Sequence, residues 1–152
     1  MLYDQKFFNE LAKKVVPVFR QIIFGTTSGG KGAKMADGRS SYPEYSKGYK
    51  KQKRGKKIKR QDNEYAGSNA PVATGDLNRD FGGFQLLNKG FKFGTPTRGK
   101  IVDYLGKQGR FISTSKNPLP PQVTKMIEHE VRFEAEKWWA KNGGHKTHRI
   151  NI

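Results

Sequence analysis

The N-terminal part of the chain carries apolar side chains at the spacing of an amphipathic helix. From Tyr3 to Phe24 the apolar positions recur at steps of three and four residues, so they fall on one helical face. These positions are Phe7, Phe8, Leu11, Val15, Val16, Phe19, Ile22 and Ile23. Because Pro17 has no backbone N–H to donate, we expect it to kink this helix or to mark its true boundary. The pattern predicts a long N-terminal helix whose apolar face packs in the core.

A second helical stripe lies near the C-terminal end. It runs from Val123 through Met126 and Val131 to Trp138, and charged residues occupy the opposite face. Prolines at 118–121 suit the first turn of a helix, and Gly143-Gly144 suits its end. We therefore predict a long C-terminal helix followed by a flexible basic tail, residues 143–152.

Between these helices the pattern breaks into short elements. Thr74 is placed to cap a helical turn that ends near Phe81. The sequence Asn88-Lys89-Gly90 is a hairpin signal, because Asn and Gly tolerate positive φ. The remaining predictions are strands at Gly83–Leu87 and Phe91–Gly94, a short helix at Lys100–Lys107 that packs on their sheet, and a further strand at Arg110–Ser113.

This order predicts an α+β fold: a small, mostly antiparallel sheet covered by an N-terminal and a C-terminal long helix, with a long basic loop arm. A length of 152 residues suits a single domain with one hydrophobic core. The predicted parts are the N-terminal helix (1–24), the extended basic arm (25–73), the α+β core with the C-terminal helix (74–142) and the tail (143–152).

The arm differs sharply in composition from its surroundings. No sustained apolar period of either kind occurs between Gly25 and Ala73, and residues 31–60 hold 12 Lys or Arg against two acids, a net charge of +10. Such a segment cannot bury enough apolar area to offset the entropy of ordering it. We expect the arm to be either mobile or ordered by a partner.

The whole chain is strongly basic and lacks cysteine. Thirty Lys and Arg against 13 Asp and Glu give a net charge of +17, which attracts nucleic acid, an anionic membrane surface or an acidic protein. No apolar run approaches the roughly 20 residues that span a bilayer, and the N-terminus has no continuous apolar stretch of a signal peptide. We expect a soluble protein made in the cytosol. Without cysteine, disulfides, thiolate zinc sites and Cys nucleophiles are excluded.

The stretch GTTSGGKG, Gly25–Gly32, fits most of a nucleotide-binding P-loop, in which a strand delivers a glycine loop to the start of a helix. Here the preceding segment has helical period, Gly32 occupies the position of the Mg²⁺-binding hydroxyl, and residues 33–41 show no apolar face of a following helix. We interpret the stretch as a hinge at Gly29 and Gly30 that releases Lys31–Ala73 from the core.

Other catalytic patterns are equally weak. His145 and His148 lie in the tail without nearby carboxylates, and His129 occupies a surface position of the last helix between two glutamates. No G-x-S-x-G elbow occurs, and Asp76 with Asp80 suits a helix start. We predict no catalytic residue, no metal and no cofactor.

The segment from Tyr42 to Gln61 interleaves aromatic and basic residues. Basic side chains neutralise phosphates, and aromatic rings stack on bases or pack on a neighbouring chain. No motif that recognises a specific nucleotide sequence accompanies them, so the segment is predicted to bind polyanions in general. The alternative is a solvated loop that only increases solubility. The candidate residues are Tyr42, Tyr45, Tyr49, Lys47, Lys50, Lys51, Lys53, Arg54, Lys56, Lys57, Lys59 and Arg60.

Four short patches, taken in order, resemble the tail-completion and head–tail joining proteins of tailed bacteriophages. They are Tyr42-Pro43-x-Tyr45-Ser46-x-x-Tyr49-Lys50 with its basic continuation, Ala73-Thr74-Gly75-Asp76-Leu77-x-x-x-Phe81, Phe93-Gly94-Thr95, and Tyr104-Leu105-x-x-x-Gly109-Arg110. A Pro-rich step and a closing helix follow, as in that group. The resemblance covers about the last two-thirds of the chain, and the arm is longer and more basic than the group leads us to expect.

The resemblance implies a non-catalytic subunit of a ring, with six or twelve copies around the channel through which DNA leaves the capsid. Its partners would be adjacent neck, portal-adaptor or tail-tube proteins, with non-specific contact to double-stranded DNA and no membrane. It would reside in the neck or tail of the virion, and in the host cytoplasm during assembly. The charge alone leaves an alternative open, a free nucleic-acid-binding protein of ribosomal or nucleoid type.

Overall fold

The computed structural model describes residues 2–26, 30–47, 76–96 and 98–142. Within these ranges the chain is a mixture of helices and one antiparallel pair of strands, which confirms the α+β class. In chain order the elements are α1 (Gln5–Phe24), α2 (Asp76–Asp80), β1 (Phe84–Leu87), β2 (Gly90–Phe93), α3 (Gly99–Lys107) and α4 (Pro121–Lys141). The predicted cap at Thr74 and the tail from residue 143 lie outside the described residues.

Helix α1 forms because its first turn is capped and one of its faces is apolar. Asp4 precedes the helix, and its Oδ1 accepts a hydrogen bond from the backbone N–H of Phe7 at 2.9 Å. Leu11, Val15 and Ile23 are buried on the apolar face. Pro17 lies inside the helix on its exposed side, so the alternative that it marks the boundary is wrong.

The core is built around α1. This helix contacts both strands and α4. The Phe19 ring lies 5.4 Å from the Phe81 ring and 5.1 Å from the Phe93 ring, measured between centroids. Leu105 of α3 and Val123 of α4 belong to the same cluster of buried side chains. One cluster of buried and partly buried side chains therefore joins the four helices and β2.

The predicted hairpin is confirmed; β1 begins one residue later than predicted and ends at Leu87 as predicted, whereas β2 begins and ends one residue earlier. Phe84 pairs with Phe93, and Leu87 with Gly90, in antiparallel register. Asn88 and Lys89 form the connection, which agrees with the turn signal.

The strand predicted at Arg110–Ser113 is wrong. Gly109 has φ +78°, and the Arg110 N–H donates to the Leu105 carbonyl at 2.9 Å, so the chain turns at the end of α3. Phe111 then accepts one backbone hydrogen bond, from the Ala36 N–H at 2.8 Å, with no ladder. Buried Arg110 and Ile112 alternate with exposed neighbours, which imitates the period of a strand.

Two polar contacts fix α4 against α1. The Lys14 ammonium lies 3.1 Å from the Glu130 carboxylate, and the Tyr3 hydroxyl donates to the Val131 carbonyl at 3.1 Å.

No helix in the described ranges is long and apolar enough to cross a bilayer.

Candidate functional site

The structure describes three of the aromatic and basic residues that the sequence assigned to a neighbouring subunit or to DNA. Tyr42 is buried, Tyr45 is half-buried and Lys47 is exposed. The others lie outside the described residues: Tyr49, Lys50, Lys51, Lys53, Arg54, Lys56, Lys57, Lys59 and Arg60.

The prediction that Tyr42 faces a partner is corrected by its burial. Its side chain is 5% exposed, and its hydroxyl has no hydrogen-bond partner in the described part of the chain. Burial raises the pKa of Tyr42, the nearby Tyr45 adds to the shift, and the positive charge of Arg110 opposes it. Tyr42 therefore packs against residues of its own chain, where its large ring is removed from water.

Arg110 connects this segment to the end of α3. Its side chain is buried, and Nη2 donates a hydrogen bond to the Pro43 carbonyl at 2.8 Å. The guanidinium carbon lies 3.8 Å from the centroid of the Tyr45 ring, which is a cation–π contact. The Nε atom is buried without an acceptor among the described residues. We call Arg110, Pro43 and Tyr45 the arginine clamp; it fixes the chain just before the most basic part of the sequence.

The glycine stretch closes a turn at the end of α1. Gly25 has φ +99°, and a Cβ on it would lie 2.4 Å from the carbonyl carbon of Gly30. The Thr26 N–H donates to the Lys31 carbonyl at 2.9 Å, and the Lys34 N–H donates to the Ile22 carbonyl at 2.6 Å. The chain thus folds back onto α1 immediately after the glycines.

This turn changes the predicted hinge. Gly29 lies outside the described residues, whereas Gly30 is buried within the turn. Residues 31–45 do not leave the core, since Ala36 is buried and its N–H bonds to the Phe111 carbonyl. The helix before the stretch and the lack of a helix in residues 33–46 agree with the rejection of a P-loop.

A second turn, residues 35–40, rests on the start of α4. The Asp37 carboxylate accepts backbone hydrogen bonds from Ser40 at 2.8 Å and Arg39 at 2.9 Å, and a third from the Ser40 hydroxyl. These bonds, that of the Ser40 hydroxyl above all, lower the pKa of Asp37 to about 2. Gln122 Nε2 donates to the Gly38 carbonyl at 2.8 Å, so the turn is fixed to the long helix.

Helices α1 and α4 enclose a groove of about 600 Å³. Its apolar lining comes from Phe7, Leu11, Phe133 and Trp138. Phe133 is 55% exposed, which is unusual for so large an apolar side chain. We call this feature the α1–α4 groove.

The groove has balanced charge, unlike the chain as a whole. Four carboxylates and four lysines line it: Asp4, Glu10, Glu130, Glu134, Lys6, Lys14, Lys137 and Lys141. Glu130 is paired with Lys14, whereas the half-buried Glu134 forms no ion pair within the described ranges. The pKa of Tyr3 is raised, first by burial and then by the negative charge of Glu134. Glu134 is thus a half-buried groove carboxylate with no ion-pair partner among the described residues.

Helix α3 presents a second apolar surface. Ile101 is 44% exposed and Tyr104 is 60% exposed, and their spacing of three places them on one face. Lys100 and Lys107 flank them and are exposed. The Tyr104 hydroxyl accepts a hydrogen bond from Gln108 Nε2 at 2.9 Å, which orients the ring. We call Ile101 and Tyr104 with these lysines the α3 ridge.

The polar side chains around the hairpin have structural partners. A cavity of about 470 Å³ lies beside the hairpin, where the Thr95 hydroxyl donates to Asp80 and accepts from the Arg98 N–H at 2.9 Å. Those bonds order the start of α3. Within the described ranges, no three His, Asp or Glu side chains come together as a metal site. His129 is exposed on α4, as its neighbours predicted, while His145 and His148 lie outside the described residues.

Sequence reasoning missed the arginine clamp, the groove and the ridge. Arg110 was assigned to a strand, although an isolated arginine between Gly109 and a run of apolar residues was a signal for a buried contact. Ile101 and Tyr104 were assigned to packing, since periodicity does not separate a buried helical face from an exposed one. Comparisons with protein-family models, curated proteins and solved structures found no match to this chain.

Proposed function

We propose that this chain is a structural, non-catalytic subunit of a tailed-bacteriophage virion, a neck or tail-completion protein that assembles into a ring around the DNA channel. The observation that carries the proposal is the presence of two separate exposed apolar surfaces, the α1–α4 groove and the α3 ridge. A closed ring needs two different surfaces on each subunit, because each copy contacts its two neighbours through unlike faces.

The patches that resemble tail-completion and head–tail joining proteins also meet in the fold. Arg110 of the last patch donates to Pro43 of the first, and Thr95 of the third donates to Asp80 within the second. Leu77 and Phe81 are in the core. The contact between Arg110 and Pro43 and the burial of Leu77 and Phe81 give these motif residues structural roles, which supports the resemblance.

In this proposal the ring holds six or twelve copies and contacts adjacent neck, portal-adaptor or tail-tube proteins. The basic arm contacts a neighbouring subunit or double-stranded DNA without reading bases, since its charge acts on phosphates. The protein acts in the virion, after assembly in the host cytoplasm. Light scattering of the concentrated protein, followed by negative-stain imaging, tests the proposal: we expect a discrete ring, and a monomer that never assembles with neck partners would contradict it.

The charge of +17 favours a second candidate, a free nucleic-acid-binding protein of ribosomal or nucleoid type. That candidate requires an isolated monomer that binds RNA or DNA tightly, with a steep dependence on salt. Reversing the charges of Lys50, Lys51, Lys53 and Arg54 should then abolish binding. If the reversal changes neither nucleic-acid binding nor assembly, the arm is a solubilising loop.

A further inference from the structure

The α1–α4 groove has the properties of a surface that is covered in an assembly. Phe133 is more than half exposed beside Phe7 and Trp138, so the groove offers apolar area that water hydrates poorly. Its walls are two packed helices joined by the Lys14–Glu130 contact and the Tyr3–Val131 hydrogen bond. A partner would therefore meet a surface that is already formed, which lowers the entropy lost on binding.

The charges that line the groove favour a second copy of this chain as the partner. Two copies of a chain with net charge +17 repel each other over most approaches. At the groove this repulsion is reduced, because four carboxylates offset four lysines there. A second copy can thus approach the groove, and it would do so best with a face whose lysines meet Glu134.

The α3 ridge has that arrangement. Its two apolar side chains lie between Lys100 and Lys107, and the hydrogen bond from Gln108 orients the Tyr104 ring before any contact forms. The groove supplies the complement, an apolar lining and the half-buried Glu134 carboxylate, which has no ion-pair partner in the part of the chain that the structure describes. Apolar anchors supply most of the affinity of such a contact, while the flanking charges set its orientation and its rate.

We propose that the α1–α4 groove receives the α3 ridge of a second copy of this chain. The inference rests on the proposed ring and identifies the two surfaces that each subunit uses. Because groove and ridge are different surfaces, every copy has one of each, and contacts continue from subunit to subunit until the ring closes.

Two single substitutions in the full chain test the contact. Phe133→Glu alters the groove and Tyr104→Glu alters the ridge; both side chains are more than half exposed, so the fold is expected to persist. Each substitution should weaken self-association by ~30-fold or more, the effect of losing an interface anchor. Leu87→Glu, on the hairpin and 43% exposed, is the matched control and should assemble as the unaltered chain does. Circular dichroism verifies that all three variants are folded.

Mixing the two variants gives the sharper result. The groove variant keeps its ridge and the ridge variant keeps its groove, so an equimolar mixture should form a heterodimer that cannot grow, seen as twice the monomer mass by light scattering. Each variant alone should remain a monomer.

The remaining outcomes separate the failure of this contact from the failure of the ring. If Phe133→Glu and Tyr104→Glu assemble as the control does, the ring uses other surfaces and the proposed function stands without this interface. If Tyr104→Glu alone forms a dimer, the groove binds another groove. If only binding to a different neck protein is lost, the occupant is not a second copy. Open linear polymers that need both Phe133 and Tyr104 and never close would support the contact and contradict the ring. An unaltered protein that stays monomeric at every concentration would contradict both.

Discussion

The guanidinium carbon of Arg110 lies 3.8 Å from the centroid of the Tyr45 ring. The same side chain donates to the Pro43 carbonyl and is buried, so it holds residues 43–45 against the end of α3. The contact therefore fixes residues 43–45, which directly precede the most basic part of the sequence, beginning at Lys47.

A double-mutant cycle measures the interaction free energy between Arg110 and Tyr45 in the arginine clamp. Arg110→Met removes the guanidinium charge and Tyr45→Leu removes the aromatic face, so each should lower the free energy of unfolding. The coupling between the two changes should be about 0.5–2 kcal/mol, the range of a desolvated cation–π contact. Urea unfolding of the four proteins gives the value, with Tyr104→Leu as a control for loss of an exposed aromatic residue. Additive effects would show that the ring and the guanidinium do not interact.

Removing the Tyr42 hydroxyl should not destabilise the protein. The hydroxyl is buried without a partner in the described part of the chain, so Tyr42→Phe should leave stability unchanged or raise it by up to about 1 kcal/mol. Tyr42→Ala empties the site and should cost about 3 kcal/mol or more. Thermal unfolding of both variants checks this; a loss of more than about 1 kcal/mol in Tyr42→Phe would reveal a bonded hydroxyl.

The pH dependence of stability above pH 10 is a second test of the burial of Tyr42. Burial raises its pKa above the ordinary value of 10.0, so above pH 10 the unfolded chain loses the proton while the folded chain keeps it. Stability should therefore fall as the pH rises beyond 10, and Tyr42→Phe should reduce that slope. Urea unfolding at pH 8, 10 and 11 measures the difference. Equal slopes in the two proteins would contradict the assignment.

Acid should remove the contribution of Asp37. Hydrogen bonds from Ser40 and Arg39 lower its pKa from 3.8 to about 2, so its stabilising charge is present above pH 3.8 and is lost as the pH falls through about 2. At pH 6, Asp37→Ala should cost about 1 kcal/mol, as loss of a capping carboxylate does. The gap between the two proteins should narrow towards pH 2 in unfolding measurements. Asp37→Asn still accepts hydrogen bonds but cannot ionise at this position, so its free energy of unfolding should change little with pH through residue 37. A difference in the free energy of unfolding between the unaltered protein and Asp37→Ala that stays constant from pH 6 to pH 2 would contradict the account.

Glycine is required at position 25 and dispensable at position 106. Gly25 has φ +99° and its backbone approaches Gly30 closely, so Gly25→Ala should destabilise the protein by about 2 kcal/mol or more. Gly106 is helical with open space beside it, and Gly106→Ala should stabilise α3 by about 0.5–1 kcal/mol. Thermal unfolding compares the pair. Similar effects of the two substitutions would show that the turn does not constrain Gly25.

Local signals in the sequence were sufficient for α1, α3, α4 and the hairpin. The period of α1, the prolines before Val123 and the turn residues Asn88-Lys89 act through near neighbours, and the structure agrees with each. Contacts between residues that are far apart in the sequence could not be predicted from such local signals. Arg110 meets Pro43 across 67 positions, and Gln122 meets Gly38 across 84, and no periodicity reports such pairings.

The same limit explains the corrected parts of the prediction. Residues 31–45 have little apolar content of their own, so their composition indicated a segment outside the core. Ala36 and Tyr42 suffice to attach them, because α1, α4 and the end of α3 offer backbone and side-chain partners. The exposed faces of α3 and α4 were likewise invisible to a pattern that records only which residues are apolar.

Mass measurement of the full chain across a range of concentrations tests the central claim most directly. Light scattering coupled to size-exclusion chromatography should show a monomer at low concentration and one discrete species at high concentration. A ring predicts a mass of six or twelve times 17.2 kDa, with a central hole in negative-stain images. A monomer at every concentration, alone and with neck, portal-adaptor and tail-tube proteins, would contradict the claim.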